Sequence, residues 1–138
     1  MKSDLPCACS TLRRATRAVT AAYDKALEPS GLRVTQFSVL RTLARLGPVT
    51  VTCLAAETAL DRSTMGRNLD PLERKGLVRL QVGETDQRKR VAHLTNAGRS
   101  AIEAALPHWR EAQKNIESLI EFSEIAALAD QLSRLRER

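Results

Sequence analysis

Apolar residues recur at helical spacing through Leu12, Ala15, Val19, Ala22, Tyr23, Ala26 and Leu27, predicting a first helix. Ser10 is a good N-cap for it, and Pro29-Ser30-Gly31 ends it. Arg13, Arg14 and Arg17 are interleaved on its other side. A second helix opens at Thr35, carries Phe37, Val39, Leu40, Leu43 and Leu46, and stops at Gly47-Pro48. A short helix follows from about Val51 to Thr58, capped by Thr50, with Leu54 and Ala55 inward and Cys53 expected in the core. After a brief turn, Asp61 caps another helix from about Arg62 to Lys75, and Gly76 is its C′ residue.

There the period changes. Val78, Leu80 and Val82 lie two apart, which reads as a strand. Gly83 to Lys89 is polar and turn-like, and Arg90 to Leu94 reads as the return strand of a hairpin. From Thr95 a long helix begins, which Pro107 should kink or divide. A last helix, capped by Ser123, carries Ile125, Leu128, Leu132 and Leu135. This stripe is close to a 3.5-residue period and suits a partner helix.

The predicted fold is therefore mainly α with a small β-hairpin. Two helices joined by a tight turn, followed by a hairpin with a basic tip, describe a winged helix-turn-helix. A helix fits the major groove, and its first turn presents side chains and backbone N–H groups to bases and phosphates. Arg62, Ser63, Thr64, Arg67 and Asn68 occupy that turn and are candidate DNA contacts; Met65 either meets a thymine methyl or packs inward. At the hairpin tip, Arg88, Lys89 and Arg90 are placed to enter a narrow minor groove. Asp86, two residues before Arg88, supports the wing by pairing with that guanidinium.

Composition agrees. The 138 residues suit one domain with a core, and aromatics make up only 3%. The net charge of +6 is uneven: residues 1–90 hold sixteen Lys or Arg against nine Asp or Glu, and residues 91–138 hold six against seven. The cationic excess thus falls where the helix-turn-helix and hairpin lie, as a polyanionic partner requires. No apolar run approaches a membrane span, the start lacks the hydrophobic stretch of a signal peptide, and a cytoplasmic location is expected. Three cysteines, an odd number, argue against structural disulfides. Cys7, Cys9, His93 and His108 lack metal-ligand spacing, so neither a metal nor a cofactor is expected. With two histidines, neither beside an orienting carboxylate, and no Gly-rich phosphate loop, a thiol enzyme is disfavoured. A helical protein-interaction module would use the leucine stripe but leave the basic hairpin unexplained.

The chain resembles the MarR family of bacterial regulators. The matching stretches are Gly31-Leu32 to Gly47, Asp61-Arg62-Ser63-Thr64-Met65-Gly66-Arg67, and Leu72-Glu73-Arg74-Lys75-Gly76-Leu77-Val78. The D-x-R pattern at Asp86 and Arg88, closed by Leu94-Thr95 and Gly98, completes them. The resemblance implies a winged helix-turn-helix over about 32–95. Helices over about 10–30 and 97–138 would intertwine into a homodimer that reads a palindromic operator in double-stranded DNA. It also implies repression relieved by a small organic effector or an oxidant. Pro71, inside the predicted recognition helix, departs from the expected pattern and should bend that helix.

One branch of the family senses organic peroxides through a cysteine near the start of its first helix. Cys9 falls on that reactive position, and Tyr23 on one of two tyrosines that hydrogen-bond the thiolate. Arg13 stands where the second tyrosine would be. Cys7 is a candidate resolving thiol. Buried interface positions are the alternative for both cysteines. For an organic effector, the resemblance implies a cleft between dimer helices and reading head, with Arg13, Arg17, Tyr23, Phe37, His108 and Trp109 as candidate lining.

Overall fold

The computed structural model describes residues 5–86 and 89–137. Its elements run α1 (Ala8–Leu27), α2 (Val34–Leu46), β1 (Val49–Thr50), α3 (Val51–Thr58), α4 (Arg62–Arg74), β2 (Val78–Val82), β3 (Arg90–Leu94), α5 (Asn96–Glu117) and α6 (Phe122–Ser133). A 3-10 turn over Glu28–Ser30 joins α1 to α2, and another over Arg134–Glu137 follows α6.

Local chemistry explains most boundaries. The Thr50 hydroxyl accepts the Cys53 N–H, the Asp61 carboxylate accepts the Thr64 N–H, and the Thr95 hydroxyl accepts the Gly98 N–H. Gly76, at φ +75°, closes α4 in the left-handed conformation that a side chain disfavours. α1 starts earlier than Ser10 predicts: Cys7 is its N-cap. Likewise Glu121, not Ser123, precedes α6. Pro107 does not divide α5, and Pro71 does not interrupt α4. Each proline forfeits one backbone bond, which the packing of a long amphipathic helix tolerates.

The sheet has the order β1-β3-β2, all antiparallel. The two-residue β1 was too short to show a period in the sequence. It pairs Val49 with Ala92 and Thr50 with Val91, tying the start of α3 to the hairpin. The core gathers Leu27, Phe37, Leu40, Leu43, Leu54, Met65, Leu69, Leu72, Val78 and Ala92. At the junction of hairpin and α5, a Cβ on Gly98 would stand 2.2 Å from the Leu77 carbonyl oxygen. Only glycine permits that approach. No helix among the described residues is long and apolar enough to cross a membrane.

Burial decides between the two readings of Met65 and overturns the expectation for Cys53. Met65 is fully buried and belongs to the core, so it does not contact DNA. Cys53 is exposed, because the inner face of α3 is taken by Leu54 and Ala55.

Candidate nucleic-acid interface

Met65, Leu69 and Leu72 recur at helical spacing and pin one face of α4 to the core. Ser63 and Arg67 are exposed on the opposite side, and Arg62 is exposed at the first position of the helix. A hydrogen-bonded string stiffens this first turn. The Thr64 hydroxyl donates to Asp61 Oδ2 at 3.0 Å, and an Arg67 Nη donates to the Thr64 hydroxyl at 3.4 Å. The Asp61 carboxyl is held below its ordinary range, first by the Thr64 N–H, then by the Thr64 hydroxyl, with Arg67 contributing a smaller attraction.

Beside this turn lies a hollow of about 430 Å³ lined by Thr50, Val51, Thr52, Arg62, Lys89 and Arg90. Three elements thus bring three cations and the first turn of α3 to one surface. This surface suits a phosphate backbone, since fixed cations and helix-start N–H groups both attract anions. At the wing, Lys89 donates its backbone N–H to the Asp86 carbonyl, and Gly83 donates to the Lys89 carbonyl. Arg88, and with it the expected pairing to Asp86, lies outside the described residues.

The structure assigns two further features to α4. Asn68, expected to read a base, is half-buried and turned into the protein. Its Oδ1 accepts the Thr35 hydroxyl at 2.8 Å and its Nδ2 donates to the Thr64 carbonyl at 2.8 Å. Gly66 sits in mid-helix with open space where a Cβ would stand. A glycine there costs helix stability and nothing inside the protein requires it. The sequence reading passed over it because glycine punctuation was weighed only at helix ends.

Three of the residues expected to line an effector cleft pack together, with Phe37 fully buried in the core. Tyr23, Phe37 and Trp109 meet at the junction of α1, α2 and α5, with ring centroids 6.3 Å apart for Tyr23–Trp109 and 6.1 Å for Phe37–Trp109. Arg41, which the sequence reading missed, caps the cluster, its guanidinium 4.7 Å from the Trp109 centroid. Its position four residues after Phe37 on one helical face was the available signal. The Tyr23 hydroxyl donates to Gln113, and burial, aided by Glu117, pushes its pKa up. Arg13 and Arg17 are not there. They are exposed upstream on α1 and line a different hollow of about 710 Å³ with Cys7, Ser10 and Arg14. His108 is half-buried and, one residue before Trp109, points about 100° away around α5.

Cys7 and Cys9 are both exposed within this chain. Cys9 accepts an Arg13 Nη contact at 3.6 Å. The Cys7 thiol is lowered from its ordinary pKa, chiefly by the Ser10 N–H and then the Ser10 hydroxyl, as its N-cap position dictates. Tyr23 stands fourteen residues beyond Cys9, about 21 Å along the same helix, so a Tyr23–Cys9 contact requires a second protomer.

One exposed reading helix, a second helix crossing behind it and an antiparallel wing alongside define a winged helix-turn-helix protein. The family model described as MarR family matches residues 30–89. The Mycobacterium tuberculosis transcriptional regulator MosR, solved in complex with DNA, superposes with a TM-score of 0.81 at 39% identity, covering 95% of this chain and 99% of that one. CouR from Rhodococcus jostii RHA1, solved bound to p-coumaroyl-CoA, gives a TM-score of 0.74 at 28% identity over 91% and 88% of the two chains. The Staphylococcus aureus regulator MgrA is 35% identical over 89 residues, 64% of this chain and 60% of that protein, less than two thirds of its length. The chain belongs to the MarR family of transcriptional regulators.

Proposed function

We propose that this protein is a sequence-specific DNA-binding transcriptional repressor that acts as a homodimer and has no enzymatic role. The observation that carries this reading is the joint surface of α4 and the wing, where Arg62, Ser63 and Arg67 stand beside the hollow lined by Arg62, Lys89 and Arg90. The DNA complex of MosR supports it by likeness. Base edges would be read from the first turn of α4, and Lys89 and Arg90 would hold the backbone. Leu128, Leu132 and Leu135, all exposed on and after α6, supply the apolar face for a second copy. Two reading heads of such a dimer meet half-sites about 34–36 Å apart on a palindrome.

A fluorescence-anisotropy titration on the protein's own upstream DNA and on random DNA tests this. Tight binding to the former, with log affinity falling by about 0.9 per phosphate contact for each unit of log salt, is the expected result. Salt-indifferent or absent DNA binding would return the chain to the protein-interaction class.

Release by thiol oxidation is favoured by the placement of Cys7 at the α1 N-terminus and of Arg13 against Cys9. A thiolate would attack the terminal oxygen of an organic peroxide. The O–O bond breaks, the alcohol leaves after taking a proton, and the sulfur becomes a sulfenic acid. A second thiolate then attacks the sulfenic sulfur, the S–O bond breaks, and the hydroxide leaves as water after taking a proton from solvent, giving a disulfide. Binding that is lost on cumene hydroperoxide treatment, and retained in Cys9→Ser or Cys7→Ser, is the expected result. Release by an organic effector is the second reading, favoured by the Tyr23–Trp109–Phe37 cluster under Arg41, a setting for a planar anion. Wild-type binding indifferent to peroxide would select it.

A further inference from the structure

We infer that Thr35 is a positioning residue for DNA reading, acting through Asn68 to set the rotation of α4 about its own axis. The inference rests on the DNA-binding reading and concerns which residues aim the reading helix.

Apolar burial alone fixes this rotation loosely. Met65, Leu69 and Leu72 define an inward stripe, but such side chains make non-directional contacts. Directional contacts come from Glu73, whose Oε2 accepts the Leu80 N–H of β2 at 3.2 Å, and from Asn68 and the C-cap Lys75, seven positions and so about two turns apart on one side of the helix. Near the middle, Asn68 Oδ1 accepts the Thr35 hydroxyl at 2.8 Å. At the C-cap, Lys75 Nζ donates to the Gly31 carbonyl at 3.0 Å. Both partners belong to the short stretch that leads into α2 and forms its first turn.

That stretch is itself anchored. The Val34 N–H donates to Asp24 Oδ1 on α1 at 2.8 Å, and the Arg33 N–H donates to Gln36 Oε1 at 3.0 Å. Val34 and Thr35 are neighbours, so one helical turn receives α1 through a backbone donor and passes the constraint to α4 through a hydroxyl. The Asn68 amide completes the link by donating to the Thr64 carbonyl, one turn from the exposed Arg67. Thr64 also accepts from Arg67. A small rotation of α4 at Asn68 therefore moves the side chain best placed to reach a base edge. Of the cations in the hollow, Lys89 and Arg90 stand on the wing and do not depend on this link, whereas Arg62, at the start of α4, does.

The consequence is specific. Loss of the Thr35 hydroxyl should impair sequence reading far more than backbone binding. Thr35→Val keeps the shape and removes the donor; Thr35→Ser keeps the donor. Anisotropy titrations on operator and random duplexes, with thermal melts of each variant, make the test. Thr35→Val is expected to lose about tenfold in operator affinity, the scale of one net hydrogen bond, with a much smaller loss on the random duplex and Thr35→Ser restoring the ratio. Equal losses on both duplexes, or a Thr35→Val protein that discriminates like wild type, would overturn the assignment while leaving the DNA-binding reading intact. A wild-type protein that binds neither duplex would overturn both.

Discussion

The reading head and the C-terminal arm of this protein solve the burial problem differently. Residues from Leu32 to Ala92 close a core in which Phe37, Leu40, Leu54, Met65 and Leu72 are fully buried within one chain. In α6 no residue is buried at all, and Leu128 and Leu132 keep 44% and 37% of their surface exposed. Both regions have strong amphipathic patterns. The difference is where the apolar face finds its partner: inside the fold for the head, and outside it for the arm. An amphipathic pattern therefore states that a face must be covered but not by what.

The proposed dimer gives the sharpest way to break that contrast. Leu128→Glu with Leu132→Glu should yield a folded monomer whose operator affinity falls by about 100-fold or more, since two linked heads bind far better than one. Sedimentation velocity and anisotropy on the same samples check it; a dimer surviving both changes would place the interface elsewhere. In the head, Gly98→Ala drives a Cβ to 2.2 Å from the Leu77 carbonyl and should cost about 3 kcal/mol, read by urea denaturation. Full stability in that variant would mean that hairpin and α5 separate easily.

Smaller effects test the reading surface. Arg67→Ala should cost about 1–3 kcal/mol on the operator and less on random DNA if it meets a base; equal losses would make it a phosphate contact. Gly66→Ala should raise stability by about 0.5–1 kcal/mol, because no neighbour opposes a Cβ there. If operator affinity falls in the same variant, the α4 backbone approaches the DNA closely at Gly66.

The smallest effect is electrostatic. The folded-state pKa of Asp61 is depressed, so its capping contribution is present above the ordinary aspartate range and fades as pH falls through the lowered value. Asp61→Asn keeps a cap but not the charge. The stability gap between wild type and Asp61→Asn, measured by denaturation across the acid range, should close on acidification. A gap constant with pH would remove the charge from the account of this cap.

The elements were legible wherever a local signal sufficed. Thr50, Asp61 and Thr95 mark three helix starts because each cap bonds a backbone N–H within its own first turn. Val78, Leu80 and Val82 announce the strand through a period of two. The missed residues were those whose role depends on another element. Asn68 looked like a base reader because its partner Thr35 is thirty-three positions away. Arg41 had only its position four residues after Phe37 to mark it, because Trp109 arrives from α5.

What the sequence by itself determined is the order of helices and wing, the cationic bias of the first ninety residues, and the stretch Arg62 to Asn68 as the start of the reading helix. These follow from periodicity, caps and charge, which act over a few neighbouring residues. Tertiary structure alone decided that Met65 faces the core, that Asn68 is tied to Thr35, that Arg41 caps the aromatic cluster, and that Arg13 and Arg17 stand apart from it. Those outcomes depend on the rotation of packed helices about their axes. That rotation is set by contacts between residues far apart in the chain, which no local pattern records.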